Sequence, residues 1–320
     1  DLHRNSDDPV KRMQAIISEV IQDLNADPES ALFDRILLSD KIRTHVRCIS
    51  LNSMFFALDR GAMFYGSMQN GIVVNPGPFW GKDDESTQNR TMVILNYWFN
   101  ALRDRAPSWW DLGAAAGGGL AMNAGVSICL GVLRSVFDHL DSGRTKLFQL
   151  DEAEVLSRIE PFAEALGDHF GTMTEEGRFA FRALRGNQGQ AAGMRHAQKA
   201  MQTAIPEFQP EGLMEYLERE KAQTSQKAAQ LVGDIERILA RTVVGMLKEE
   251  FGEEGELWWY DGVPKTVRTT VTARQEDDNN KAGTKEAYLD LIHYRTIVTA
   301  NWQIFGGLLG YGSGSKERSE

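Results

Sequence analysis

The sequence predicts a mainly α-helical protein: a multi-helix core with a little β structure near residues 46–51, followed by a C-terminal helical module. Three observations carry this. Apolar residues recur at three- and four-residue spacing through most long segments, the stripe of an amphipathic helix. Alternation of apolar and polar residues, the strand signal, is confined to residues 46–51 and is only rough there. From Trp258 onward, Trp258-Trp259-Tyr260 precedes a Gly262-Val263-Pro264 stop, and Tyr288, Tyr294, Trp302 and Phe305 then recur at intervals suited to anchoring a small helical module.

Each element follows in order. Val10, Met13, Ile16, Ile17, Val20, Ile21 and Leu24 form the first helical stripe, and Asp7-Asp8-Pro9 ahead of it is a start signal with proline near the first helical position. Residues 46–51 lead as a short strand into a helix over residues 51–58. Residues 66–87 read mainly as a linker, marked by the turn residues Asn75-Pro76-Gly77-Pro78 and the charged run Lys82-Asp83-Asp84-Glu85-Ser86. Residues 91–102 carry Met92, Val93, Leu95, Tyr97, Trp98, Phe99 and Leu102, apolar nearly all round, which marks a helix central to a core. Pro107-Ser108-Trp109-Trp110-Asp111 ends that unit, and the Gly/Ala-rich residues 113–119 open a buried helix running to about residue 140. Residues 148–166 read as helix again, with Asp151 as cap and Pro161 splitting it in two, since proline removes an interior hydrogen bond.

From Glu211 onward, Leu213, Leu217, Ala228, Leu231, Ile235, Leu239, Val243 and Leu247 lie on one stripe of a helix of about forty residues. Glu218, Glu220, Lys221, Lys227, Glu236 and Arg241 occupy its other face. A helix of that length can begin in one module and end in another, so the domain boundary is placed near residues 206–210, dividing 1–208 from 209–320. Residues 275–280 read as a solvated loop. Trp98, Trp258 and Trp302 are expected to be largely buried with their indole N–H groups paired, because an unpaired buried donor costs about 1–3 kcal/mol.

Composition bounds the function. With 42% hydrophobic and 25% charged residues in 320, the chain can fill one large core or two modest ones, which argues against disorder. The longest apolar stretch, residues 120–133, contains Asn123 and Ser127 and at about fourteen residues is too short to span a bilayer. Asp1-Leu2-His3-Arg4-Asn5 has no apolar core, so no secretory signal is expected there. Cys48 and Cys129 each sit in an apolar run, which fits two buried thiols in a reducing cytoplasm better than a disulfide. A net charge of -10 and a pI near 5.2 exclude a whole-chain basic field and leave only local patches for nucleic acid.

Few residues offer chemistry. The six histidines contain no pair at the helical spacing a metal site uses, and no hydrolytic triad pattern occurs, so no catalytic residue, metal or cofactor is assigned. The glycines at 117–119 lack the lysine of a phosphate loop, and close helix packing explains them more simply. More suggestive is Arg182-Ala183-Leu184-Arg185-Gly186-Asn187-Gln188-Gly189-Gln190, followed by Arg195 and Lys199. Gly186 and Gly189 can turn backbone N–H groups into an anion-binding concavity, while Arg182, Arg185, Arg195 and Lys199 add donors for phosphate. The plainer alternative is a polar loop between helices with surface arginines. Arg268, Arg274, His293 and Arg295 flank the C-terminal aromatics and could help stack bases, but tryptophans at these spacings more often anchor a core.

The chain resembles the DGQHR-domain (DndB-like) family of bacteria. The likeness is carried by residues 21–24 through 49–51, by Ile94-Leu95-Asn96-Tyr97-Trp98-Phe99-Asn100-Ala101-Leu102 with Trp109-Trp110 downstream, and by Arg185-Gly186-Asn187-Gln188-Gly189. The segment from Trp258 onward resembles the HEPN-like helical extension that some members carry. Two departures stand out. The Asp-Gly-Gln-His-Arg motif is absent, lying in relatives ahead of the point where this chain begins, and so is the Arg…His pair of the terminal HEPN-like module. The resemblance therefore implies an interior piece of a longer protein, with the terminal module truncated. It also implies a component of a bacterial DNA-modification or antiviral defence system, acting by contacts with DNA or RNA and with other proteins of that system; a homo-oligomer, formed through the terminal module, belongs to the scaffold alternative below. Two alternatives remain open: a HEPN-type ribonuclease with its catalytic pair outside this chain, and a helical dimerisation scaffold. Within the chain only Arg134 and His139 match the Arg-x(4–6)-His spacing, in which the pair would hold and protonate a scissile phosphate.

Overall fold

The computed structural model of the protein describes residue 6 and residues 8–64, 68–69 and 72–309. Helix makes up 69% and strand 2%, which places the chain in the mainly α class. The chain folds as two compact units, Asp1–Leu217 and Glu218–Glu320, with the division inside one long helix.

In the first unit α1 (Pro9–Ala26) starts where the sequence indicates: Asp8 accepts a hydrogen bond from the Val10 N–H at 2.9 Å, and Pro9 opens the helix. Its stripe of Ile16, Ile17, Val20, Ile21 and Leu24 is buried. Two short strands, β1 (Ile36–Leu37) and β2 (Ile49–Ser50), pair in parallel ahead of α2 (Leu51–Asp59), and Ser50 caps that helix by accepting from the Ser53 N–H. A second pair, β3 (Met68–Gln69) with β4 (Ile72–Val73), is antiparallel and lies within what the sequence marks as linker.

α3 (Asp84–Arg105) is the central helix, burying Ile94, Leu95, Trp98, Phe99 and Leu102. The charged run before it is not loop throughout. Asp83 caps the helix through the Ser86 N–H at 2.7 Å, and Asp84 and Glu85 form an acidic first turn that suits the helix dipole. α4 (Pro107–Leu112), α5 (Asn123–Leu140) and α6 (Glu152–Gly171) follow. α6 corrects the expected split at Pro161: it is one helix with proline inside. Pro161 is on the exposed face, as is Ser157, whose carbonyl loses its helical donor, so water can take the place of the missing hydrogen bond. Asp151 does cap it, accepting from the Glu154 N–H at 2.8 Å.

α7 (Glu175–Ala183) and α8 (Gly186–Ala204) complete the core. α3 packs on α6 and α1, α5 on α8 and α2, and α6 on α8. Helices α5 and α8 meet closely at Gly193, where a Cβ would lie 2.5 Å from a methyl of Ile128. Trp98 is 0% exposed, but its indole N–H has no partner, contrary to the expected pairing; Trp109 shares this, whereas Trp110 donates to the Ala31 carbonyl at 3.0 Å. Ile94, Leu95, Phe99 and Leu102 are buried around Trp98 on the same helix. Burying an indole gains about 4–6 kcal/mol from its apolar area, more than the lost donor costs.

The helix approaching forty residues is α9 (Leu213–Phe251), 39 residues long. Its stripe is buried only towards the ends, at Leu213 and at Val243, Val244 and Leu247, while Leu231, Val232, Ile235 and Ile238 are exposed. In the second unit α10 (Leu257–Tyr260), α11 (Lys265–Asp277), α12 (Leu291–Ala300) and α13 (Trp302–Leu309) gather Trp258, Trp259, Val263, Val267, Val271, Tyr294, Ile297 and Phe305 around the end of α9. α11 takes in Gln275, Glu276 and Asp277, so the solvated loop is shorter than the sequence suggests. Asn301 holds the Gly262 carbonyl at 2.7 Å, and Asp290 and His293 cap α12 reciprocally. Trp302 is half-buried rather than largely buried; it stands at the first position of α13 with its ring against Gly306. Among the described residues no helix is long and apolar enough to cross a membrane.

Candidate phosphate-binding site

The six residues singled out by sequence are used in different ways. Arg182, on α7, turns its guanidinium into the loop 114–118, donating to the carbonyls of Ala114 at 2.9 Å, Gly118 at 3.0 Å and Ala115. The glycine run at 117–119 serves that loop: it presents carbonyls to an arginine, and at Gly119 (φ +154) a Cβ would crowd the Arg182 side chain at 3.3 Å. Arg195, on α8, donates to the Gln198 side chain at 2.9 Å and the Glu211 carbonyl at 2.7 Å. Lys199, one turn further on, is exposed but also engaged within the protein. Arg182 and Arg195 line different cavities.

Residues 185–190 are the start of a helix, not an open loop. Arg185 occupies the N-cap position, exposed and making no side-chain cap. Gly186 has φ +61, with nothing within 4 Å of a would-be Cβ, so the backbone and not crowding demands glycine there. Gly189 is needed for closeness: a Cβ would lie 3.0 Å from the backbone of Leu184.

The first turns of α8 also form one wall of a cavity of about 300 Å³, with α2 and α5 as the others. Two cationic side chains line it, Arg60 just past α2 and Arg134 on α5, together with the neutral polar groups of Ser53, Ser127, Asn187 and Gln190 and no carboxylate. Arg134 donates from Nη2 to the Ala57 carbonyl at 2.9 Å, satisfying one of the last carbonyls of α2. Its Nε is enclosed with no partner, and a Cβ on Gly61 (φ +79) would come within 2.7 Å of that atom. Burial lowers the Arg134 pKa, Asp138 raises it and Arg60 lowers it further. Asp138 gives incomplete compensation, since burial raises its own pKa first and Arg134 only opposes that. Among the described residues neither Arg60 nor Arg134 forms a salt bridge.

Larger cavities suit an anion less well. One of about 620 Å³ contains Arg195, already bonded, beside Asp138 and Glu211. Another of about 630 Å³ contains Arg182, bonded to three carbonyls, and Arg178, which lies over the Trp109 ring, beside Glu175.

Arg134 and His139 do not act together. Five residues apart on a helix, they point about 140° from each other. The His139 ring packs edge-on to Phe162 and Phe208, with centroids 5.7 and 5.5 Å away, and lines the cavity that Arg134 does not. Cys48 and Cys129 are buried free thiols. Near the C-terminus Arg274 pairs with Asp290 at 2.8 Å and Arg268 lies over Tyr260, so these arginines serve the small core. Among the described residues no group of three or more His, Cys, Asp or Glu could hold a metal ion.

Sequence reasoning passed over Arg60 and gave Arg134 a different role. The signal available was Asp59-Arg60-Gly61, a glycine after a helix end, and it says nothing of what Arg60 faces. No protein-family model matches the chain, and no curated protein or solved structure is significantly similar to it.

Proposed function

We propose that this chain is a component of a bacterial DNA-modification or anti-phage defence system, acting in the cytoplasm through protein and nucleic-acid contacts. The observation that carries the nucleic-acid part is the cavity at the start of α8, lined by two arginines that form no salt bridge among the described residues, with amides, hydroxyls and no carboxylate, in a chain of net charge -10. In so acidic a molecule the binding is local, confined to that face. Its ribonuclease alternative gains nothing from Arg134 and His139, which face apart.

Labelled DNA and RNA titrated at several salt concentrations test the proposal. Wild type should bind with a salt-dependent affinity, and Arg60→Gln or Arg185→Ala should lower the salt slope by about one unit for each phosphate no longer neutralised. No binding by the wild type, or unchanged slopes in both variants, removes it. The second reading, a dimerisation scaffold, is favoured by the exposed Leu231, Val232, Ile235 and Ile238 on α9, an apolar strip at helical spacing. Sedimentation velocity of wild type against Ile235→Glu decides that reading.

A further inference from the structure

We propose that the cavity between α2, α5 and α8 is a single-nucleotide pocket: a phosphate sits on Arg60 and Arg134, and the base stacks on Phe56. This deepens the nucleic-acid reading above and rests on it only for the source of the nucleotide, a strand terminus as against a free nucleoside phosphate.

The charge argument comes first. Arg134 is held in a half-buried position by its bond to the Ala57 carbonyl and by the bare backbone of Gly61. Arg60 is the neighbouring cation, and Asp138, four residues along α5, offsets only part of the cost of burying Arg134. Two cationic side chains on one cavity without a carboxylate in its lining favour an anion between them. Phosphate is the oxyanion whose geometry matches paired guanidinium donors.

A second, independent feature selects a nucleotide over inorganic phosphate. Phe56 lines the same cavity and is 58% exposed, so its ring is open to a ligand there. Phe56 and Arg60 are four residues apart across the end of α2, so they share one face. The Phe55 ring lies edge-on to Phe56 with centroids 5.8 Å apart, which supports the ring and leaves it accessible to a ligand. An aromatic face beside arginine is how proteins hold single bases. Asn187 and Gln190, from α8, supply the donors and acceptors that a base edge or a ribose needs.

Size sets the limit. About 300 Å³ is at the lower end of small-molecule pockets and accommodates one nucleotide, not a duplex.

Isothermal titration calorimetry of the intact chain tests this with inorganic phosphate, the four nucleoside monophosphates and a 5′-phosphorylated single-stranded hexanucleotide as probes. Arg60 and Phe56 are exposed, so their variants should fold, which circular dichroism checks. Wild type should bind at least one nucleoside monophosphate more tightly than phosphate. Arg60→Gln should weaken that binding by about tenfold or more, and Phe56→Ala should abolish the preference for nucleotide over phosphate. No monophosphate bound at about 1 mM, an unchanged affinity in Arg60→Gln, or equal affinity of wild type for nucleotide and phosphate overturns the proposal. Monophosphate binding without hexanucleotide binding supports the pocket, with a free nucleotide as its ligand, and sinks the nucleic-acid reading. Hexanucleotide binding that monophosphates cannot displace does the reverse.

Discussion

Arg90 offers the sharpest test of how the first unit is held together. It lies on α3, is 3% exposed, and spends its guanidinium on three carbonyls of other segments: Pro78 through Nε at 2.8 Å, Leu150 through Nη1 at 2.8 Å and Leu147 through Nη2 at 2.7 Å. Glu152 approaches Nη1 at 3.5 Å. Burial lowers the Arg90 pKa and Glu152 opposes that, so the cation is kept by its partners. Arg90→Met preserves the stem and removes every donor. It relieves the cost of burying a charge but strands three carbonyls, two of them on the buried residues Pro78 and Leu147. At about 1–3 kcal/mol per unsatisfied group, partly relieved by entering water, a loss of about 3–5 kcal/mol is expected. Arg90→Lys should lose somewhat less, because one ammonium cannot span all three acceptors but still serves some of them. Urea unfolding gives the total, and native-state hydrogen exchange should show the loss in α3, α6 and residues 147–150. A loss below about 1 kcal/mol, or one confined to other segments, would refute the view that this arginine fastens those loops to the core.

Two further outcomes follow from particular residues. Pro161→Ala restores the helical donor for the Ser157 carbonyl on an exposed face of α6 and should stabilise the first unit by about 1–3 kcal/mol in urea; an unchanged or lower midpoint would show that the proline is packed for a reason. His169 has its pKa lowered, by burial first and then by His196. Depressed in the folded state, it contributes stability that is present above the unfolded value near 6.5 and is lost as pH falls through the folded one. Stability should therefore drop on acidification below that point, and His169→Gln should flatten this part of the profile; an unaltered profile in the variant would dismiss the imidazole as its source.

Helical class, the helices around residues 10–24, 91–102 and 120–140, the cap at Asp151 and the length of α9 were legible in the sequence, because apolar periodicity and capping are local properties of a chain, whereas α7 and α8 were not. Ile16, Ile17, Val20, Ile21 and Leu24 can face a core only if that segment is a helix. Position within a helix was less legible. Pro161 signals a break, yet an exposed turn tolerates it, and exposure is not local. The acidic residues after Lys82 read as loop until a capped helix is seen to begin there.

Where arginines point was decided by tertiary structure alone. Arg182 and Arg195 look like ligand donors in sequence, but each found backbone carbonyls from other segments, Arg182 in 114–118 and Arg195 at Glu211. Arg60 and Arg134, with α3 and α4 between them along the chain, came to share one cavity because α2 and α8 both pack on α5. A long flexible cation can reach acceptors in many directions, and its own sequence neighbours do not say which it will meet. Helix formation depends on residues three and four apart, whereas a site depends on which helices end up side by side.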